Sequence, residues 1–410
     1  MDSFYLDGMP AIVFGAGIFS DIGFLIKESG AGNKALIVAG SNYLQKSGKL
    51  YKLDDSLAAC GISCEIYSKV SPNPRAEEVD EAAQIIKDSG CDFVIGFGGG
   101  SAMDAAKAAA AVAVSGGRIW DYIRGENDCE AESIKGALPI VTIPTRYGSG
   151  AEVSIFSVIS NDAVKEKAVL TTKKIMPSFA AIDPEFCMDL STEQAGYAIT
   201  DIAAHLIETY ITGADRSPVA DSLSETLLCD LIKNAYKVID GNATIAEHKN
   251  ISYISLLALT GITHAGRGGD FPLHDIEHPL SAHLDLAHGL GLGALLPHLM
   301  RFSFENAIER YEKLYLCVFK RLVNENFTMI NCFKEVTAAR GRAANAVDCL
   351  TEFFTRLGTF KKLGQYGLTN DMTERLASDV IRLYGCGLSY IANPKKLSHS
   401  DIAQLYRETL

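Results

Sequence analysis

Short apolar runs recur through the first 180 residues, and segments with a helical apolar period lie between them. Residues 12–14, 35–39, 62–67, 93–97, 139–143 and 180–182 have the length and content of buried strands. Residues 77–87 put Val79, Ala82, Ala83 and Ile86 on one helical face, and Ser89-Gly90 ends that helix. Residues 102–114 read as an alanine-rich helix. Strands alternating with helices predict a doubly wound parallel sheet. Residues 153–160 and 165–171 flank Asn161-Asp162 and predict a hairpin. After Pro184 the pattern changes, and helical periods dominate to Leu410. Residues 193–212 predict a long helix. The next helix is capped by Ser217, has Pro218 in its first position and runs to Lys237. Residues 248–264, 346–357 and 371–383 predict others. The expected architecture is a doubly wound α/β domain over residues 1–183, then an all-helical domain over residues 184–410.

Length agrees, since 410 residues exceed one ordinary core. A net charge of −12 argues against a nucleic-acid partner, which needs a basic face. No apolar run reaches the roughly 18 residues of a membrane span, and the N-terminus lacks the pattern of a signal peptide. The ten cysteines are scattered, with no Cys-x-x-Cys, and read as reduced thiols of a cytoplasmic protein.

Two stretches carry chemistry. The strand over residues 93–97 runs into Gly98-Gly99-Gly100-Ser101 and then a helix. Glycines let a ligand approach the backbone, and the helix N-terminus adds positive potential. Together they read as a pyrophosphate cradle at the carboxyl end of a strand. Ser101 is expected to cap that helix, with Asp104 completing a capping box. Gly15-Ala-Gly17-Ile-Phe-Ser20 nearly matches the dinucleotide fingerprint, but the acidic residue that should end the next strand is missing. The second stretch holds Asp201-x-x-x-His205, His274-x-x-x-His278 and His288-Gly289. Residues four apart share one face of a helix. One carboxylate and three imidazoles suit a divalent ion such as Fe²⁺ or Zn²⁺.

Taken together and in order, residues 98–107, Asp201-x-x-x-His205 and His274…His278-Pro279…His288-Gly289 resemble the iron-containing (group III) alcohol dehydrogenases. Gly266-Arg-Gly-Gly-Asp270 and residues 274–282 place the likeness nearest the butanol dehydrogenase-like branch. The fold implied is the one these enzymes share with dehydroquinate synthase. The resemblance implies that Asp201, His205, His274 and His288 are the metal ligands, and that His278 lies near nicotinamide and substrate without binding the metal. It implies that Gly98, Gly99, Gly100 and Ser101 form the pyrophosphate loop, with Asn73, Thr142, Thr145 and Lys167 lining the cofactor. It makes Gly15 and Gly17 a structural pair. Where much of the family reads Thr-Thr-Ala-Gly-Thr-Gly-Ser-Glu, this chain has Thr145-Arg-Tyr-Gly-Ser-Gly-Ala-Glu152, with bulky Arg146 and Tyr147.

The implied reaction is reversible hydride transfer between a small alcohol or aldehyde and nicotinamide, in a cleft between the domains. Iron is the expected metal and zinc the alternative. Gly40 ends its strand without an acidic side chain, and Ser41 follows with a hydroxyl, so NADP(H) is expected to be preferred over NAD(H). A homodimer is expected. The nearest rivals are a glycerol dehydrogenase-like zinc enzyme and a dehydroquinate synthase-like lyase on the same fold. The lyase would leave cofactor absorbance unchanged overall.

Overall fold

A computed structural model describes residues 4, 6, 8–40, 43–123, 133–213 and 217–410. The expected cofactor residue Ser41 lies outside the described residues. The chain forms two compact units, Gly8–Asp189 and Leu190–Leu410. The division falls six residues beyond the expected Asp183. The turn over Pro184–Asp189 belongs to the first unit because Phe186 packs into that unit's core and Asp189 accepts from Tyr43 and Lys49.

The first unit is built on β1 (Ala11–Phe14), β2 (Lys34–Gly40), β3 (Ser63–Val70), β4 (Phe93–Gly98), β5 (Ile140–Pro144) and β8 (Phe179–Ile182). They form one parallel sheet in the order β1-β8-β5-β4-β2-β3. Its longer helices are α1 (Ile22–Ser29), α2 (Lys49–Ala59), α3 (Ala76–Ser89) and α4 (Gly100–Ser115). The inner strands β2, β4, β5 and β8 are apolar on both faces, so both faces must be covered. Along β2, Leu36 and Val38 join Val79 of α3 and Ala105 of α4. Ile37 and Ala39 point the other way, to Ile22 of α1 and Leu53 of α2. Burying each large aliphatic chain contributes on the order of 2 kcal/mol. The hairpin is observed as antiparallel β6 (Phe156–Asn161) and β7 (Glu166–Thr171).

The second unit is mainly helical, with α5 (Thr192–Thr212), α6 (Pro218–Ile239), α7 (Ile245–Ala258), α8 (Pro272–Leu284), α9 (His288–Phe302), α10 (Ala339–Arg356), α11 (Met372–Tyr384) and α12 (His399–Glu408) among its elements. Two-residue strands at Tyr390–Ile391 and Leu397–Ser398 interrupt the helices. α5 begins with a capping box between Ser191 and Gln194, as serine before a polar N3 residue favours. From Ala198 to Ile211 every residue of α5 is buried, so it forms the centre of the unit. α7 ends at Ala258, earlier than the expected 264, because Thr260-Gly261 turns the chain and Gly261 takes φ 81°. No helix among the described residues is long and apolar enough to cross a membrane.

Candidate active site and metal centre

In the first unit the chain crosses from β3 back over β2 to β4, so the order reverses between β2 and β4. Open α/β sheets bind ligands at such a switch point, beyond the carboxyl ends of the strands. Gly40 ends β2 and Gly98 ends β4, and a Cβ on Gly98 would lie 3.9 Å from Gly40 N. Gly98 takes φ 152°, which a side chain disfavours, and its carbonyl accepts from Thr145 N at 2.8 Å. A Cβ on Gly100 would stand 2.7 Å from Ser149 Oγ, so this glycine is also required by the neighbouring loop.

Several expected roles change. Gly99, not Ser101, is the N-cap of α4, and Ser101 sits inside the first turn. Asp104 does not complete a capping box. Its carboxylate accepts from Val158 N at 3.1 Å and lies 3.7 Å from Lys107 Nζ. Burial pushes Asp104 up to about 6, against the pull of Lys107. Thr142 is fully buried, and its hydroxyl donates to the carbonyls of Glu152 and Phe179 at 3.2 and 3.4 Å. There it braces the sheet. Lys167 Nζ donates to Asn73 Oδ1 at 3.0 Å. The near-fingerprint at Gly15–Ser20 is filled from within. Gly17 N and Phe19 N donate to the Asp183 carboxylate at 3.1 and 3.0 Å. The turn binds an anion as its sequence suggests, but the anion is the chain's own.

In the second unit α5 and α8 bring Asp201, His205 and His274 together. Asp201 Oδ1 lies 3.5 Å from His205 Nδ1 and 3.7 Å from His274 Nε2. The rings of His205 and His274 stack with centroids 4.6 Å apart. All three residues are buried, and these three atoms have no hydrogen-bond partner. Buried polar atoms are rarely left so. Ligands about 2.1 Å from a tetrahedral ion stand about 3.4 Å from one another. Spacing, chemistry and the missing partners therefore fit a divalent cation. The electrostatics agree. Burial raises the Asp201 carboxyl, but the three nearby histidines outweigh it and hold the pKa well below the usual range. Burial, with His274 and His288, pushes His205 down to about 3 against the pull of Asp201. Burial also pushes His274 down, but Glu208 and Asp201 outweigh it and lift it to about 10. Two carboxylates around one imidazole demand positive charge there, which a proton or a metal ion supplies.

His288 lies next to this cluster, its ring centroid 5.2 Å from that of His274. It opens α9, and Gly289 makes that position possible. A Cβ on Gly289 would come within 2.1 Å of Tyr197 O on α5. By its nearest ligand atoms His288 groups with Glu277 and His278, whose donor atoms lie within 4.8 Å of one another.

Sequence reasoning missed two carboxylates, both fully buried: Glu208 on α5 and Glu277 on α8. His274 Nδ1 donates to Glu208 at 2.5 Å, and His288 Nδ1 donates to Glu277. Glu208 is held in turn by Leu273 N at 2.6 Å, and Glu277 by the Ser281 hydroxyl. Such partners fix the tautomer of a metal-binding histidine and aim its other nitrogen. The spacing carried a signal for Glu208, which follows Asp201 by seven residues, two turns along one helix face. Gly291 leaves room for Glu277, whose Oε1 would lie 2.7 Å from a Cβ there.

His278 is buried, its ring stacks on that of His288 at 5.7 Å, and its Nδ1 lies 2.7 Å from Tyr384 Oη. His283 pairs with Asp379 at 3.2 Å, away from the cluster's ligand atoms. The Gly266–Asp270 stretch anchors α8. Buried Arg267 binds Asp221 Oδ1 at 2.9 Å and Thr263 O at 2.8 Å, and tight packing against Thr209 excludes any side chain at Gly269.

The family models for iron-containing alcohol dehydrogenase and for the C-terminal region of the Fe-containing alcohol dehydrogenase family match residues 10–184 and 197–410. The chain belongs to the iron-containing alcohol dehydrogenase family. Family membership makes it an oxidoreductase that interconverts alcohols and aldehydes. Its curated relatives include NADH-dependent butanol dehydrogenase A of Clostridium acetobutylicum, 27% identical with 97% of each chain covered. Another is the NAD-dependent methanol dehydrogenase of Bacillus methanolicus, 28% identical over the whole of both chains. Among solved structures, NADH-dependent butanol dehydrogenase A of Thermotoga maritima superposes with a TM-score of 0.89 at 28% identity, covering 99% of this chain and 98% of that one.

Proposed function

We propose that this member of the family is a metal-dependent, NAD(P)-linked alcohol dehydrogenase that also runs in reverse as a reductase of small aldehydes. The observation that carries the reading is the convergence of Asp201 Oδ1, His205 Nδ1 and His274 Nε2, buried and unpaired, at ligand spacing. His288 is the proposed fourth ligand. Its place beside His274, and the Glu277 carboxylate that orients it, support this. Fe²⁺ is the proposed ion, with Zn²⁺ as the alternative. When bound, such an ion lowers the pKa of an alcohol hydroxyl or polarises an aldehyde carbonyl.

The chain's own residues do the rest. Glu208 and Glu277 keep Nδ1 of their histidines protonated, so that the other nitrogen faces the ion. His278, held by Tyr384 and stacked on His288, is the proposed group that passes a proton between substrate oxygen and solvent, because an imidazole can both accept and donate one. Gly98, Gly99, Gly100 and the start of α4 are proposed to seat the pyrophosphate, as the switch point and the open glycine turn support. A cytoplasmic location accords with the nine described cysteines being free thiols. The homodimer rests on the family resemblance.

Two observations bear on the 2′ position of the cofactor, and they pull apart. Gly40 brings no carboxylate to the end of β2 and so no repulsion of a 2′-phosphate. The butanol and methanol dehydrogenase relatives are named for NADH or NAD. We propose that NADP(H) is preferred, on the uncharged turn. The test is kcat/KM for NADPH and for NADH on one aldehyde, in the parent and in Gly40→Asp. A Cβ at Gly40 would meet only Val70 O, at 3.6 Å, so the variant has room to fold. The expected result is a parent that favours NADPH and a variant shifted towards NADH by about tenfold or more, the effect of one like-charge contact worth about 1.4 kcal/mol. Equal use of both by the parent would show that the turn does not read the 2′ group.

A further inference from the structure

Arg146 has no part in the roles assigned so far. It follows Thr145 in the turn after β5, and its side chain is exposed. Its guanidinium lies against the backbone of Gly99. The place a Cβ on Gly99 would take is 2.8 Å from Arg146 Nε, 3.2 Å from Cδ and 3.3 Å from Cζ. Gly99 is the N-cap of the sixteen-residue helix α4. Other arginines of the chain are engaged: Arg75 with Asp162, and Arg267 and Arg310 with Asp221. No carboxylate or other hydrogen-bonding group among the described residues engages Arg146. A guanidinium without a counter-ion therefore rests on the cap of a helix whose first amides face outward with positive potential. Ser149 stands on the same turn, its hydroxyl against Gly100. The same ground, at the carboxyl ends of β2 and β4, is the switch point of the sheet.

We propose that Arg146 is a phosphate-binding residue of the dinucleotide seat, its guanidinium forking onto the pyrophosphate while the first amides of α4 hold it from below. The inference rests on the reading that Gly98 to Ser101 seat a nicotinamide dinucleotide. It adds a contact that the glycine turn alone lacks. A planar guanidinium suits paired phosphate oxygens, and the bond is charge-assisted. The pyrophosphate is common to NAD(H) and NADP(H), so Arg146 sets affinity for both and does not choose between them. That separates its role from that of Gly40.

The test is equilibrium titration of the full-length, metal-loaded protein by fluorescence, with NADH and NADPH, and by competition with ADP-ribose and with adenosine. Arg146→Ala is expected to weaken NADH, NADPH and ADP-ribose alike, by about 10- to 100-fold, as loss of one charged hydrogen-bonded pair does. Adenosine, which has no phosphate, is expected to bind both proteins equally. Arg146→Lys should recover part of the loss, since charge returns but the fork does not. The side chain makes no hydrogen bond or ion pair among the described residues, so the variants are expected to unfold at the parent's temperature, which thermal denaturation checks. An unchanged affinity for ADP-ribose in Arg146→Ala would overturn the proposal, and so would a loss confined to NADPH, which would make Arg146 a reader of the 2′-phosphate. A parent that bound neither dinucleotide would overturn the seat itself, and the Arg146 contact with it.

Discussion

His274→Ala is expected to lose its metal and its turnover together. The side chain supplies Nε2, which lies 3.7 Å from Asp201 Oδ1 and has no other partner. Without it three of the four proposed ligands remain, and the one lost is the imidazole whose ring lies against both His205 and His288. Metal content is expected to fall from about one ion per chain to less than about a tenth, with alcohol and aldehyde turnover at background. The variant also strips Glu208 of its imidazole, leaving a fully buried carboxylate with backbone donors alone. That costs about 1–3 kcal/mol, so the melting temperature falls as well. Two further variants keep loss of metal distinct from loss of fold. Asp201→Asn leaves no carboxylate without its partner and keeps the shape of α5, and His288→Ala leaves Glu277 its bond from Ser281. Both are expected to fold and to lose metal and activity. Full metal occupancy with near-parental turnover in all three would remove the ligand assignment.

His278→Ala is expected to behave differently, keeping its metal while kcat falls roughly 10²-fold or more, the usual worth of a positioned acid or base. The histidine stacks on His288 and is held by Tyr384, but its nitrogens are not among the three convergent ligand atoms. In aldehyde reduction the carbonyl oxygen must gain a proton, and the variant lacks the imidazole that would hand it over, so parent and variant should differ in the shape of their pH–rate profiles as well as in kcat. Parallel pH–rate profiles would make His278 a packing residue.

Much of this centre was legible in the sequence because its signals are local. Asp201 and His205 lie one turn apart on α5, and spacing alone puts them on one face. The strand, glycine turn and helix at residues 93–115 also show as a change of period within one stretch, and Gly40 and Gly98 meet because alternating βα units leave few ways to order a parallel sheet. What was hidden depends on contacts distant in sequence. Glu208 and Glu277 look like ordinary surface acids until the fold buries them against His274 and His288. Asp183 fills the turn at Gly17 from 166 residues away, which no motif at Gly15–Ser20 can reveal. Asp104 has the spacing of a capping box with Ser101, yet Val158 N from the hairpin claims its carboxylate. Thr142 sits on a strand that is buried on both faces, so its polar side chain turns to backbone carbonyls. Local pattern named the elements and the residues that cluster, while packing decided which polar groups were free to act.

The central claim is that one divalent ion, held by Asp201, His205, His274 and His288, is required for nicotinamide-linked alcohol and aldehyde chemistry. Its most direct test is reconstitution of the parent protein. Metal is stripped with a chelator, Fe²⁺ or Zn²⁺ is added stepwise without oxygen, and bound metal is measured beside aldehyde reduction with NADPH and NADH. Activity should rise in proportion to bound ion and level off at one ion per chain. Metal-free protein that turned over as fast as the reconstituted enzyme would contradict the account.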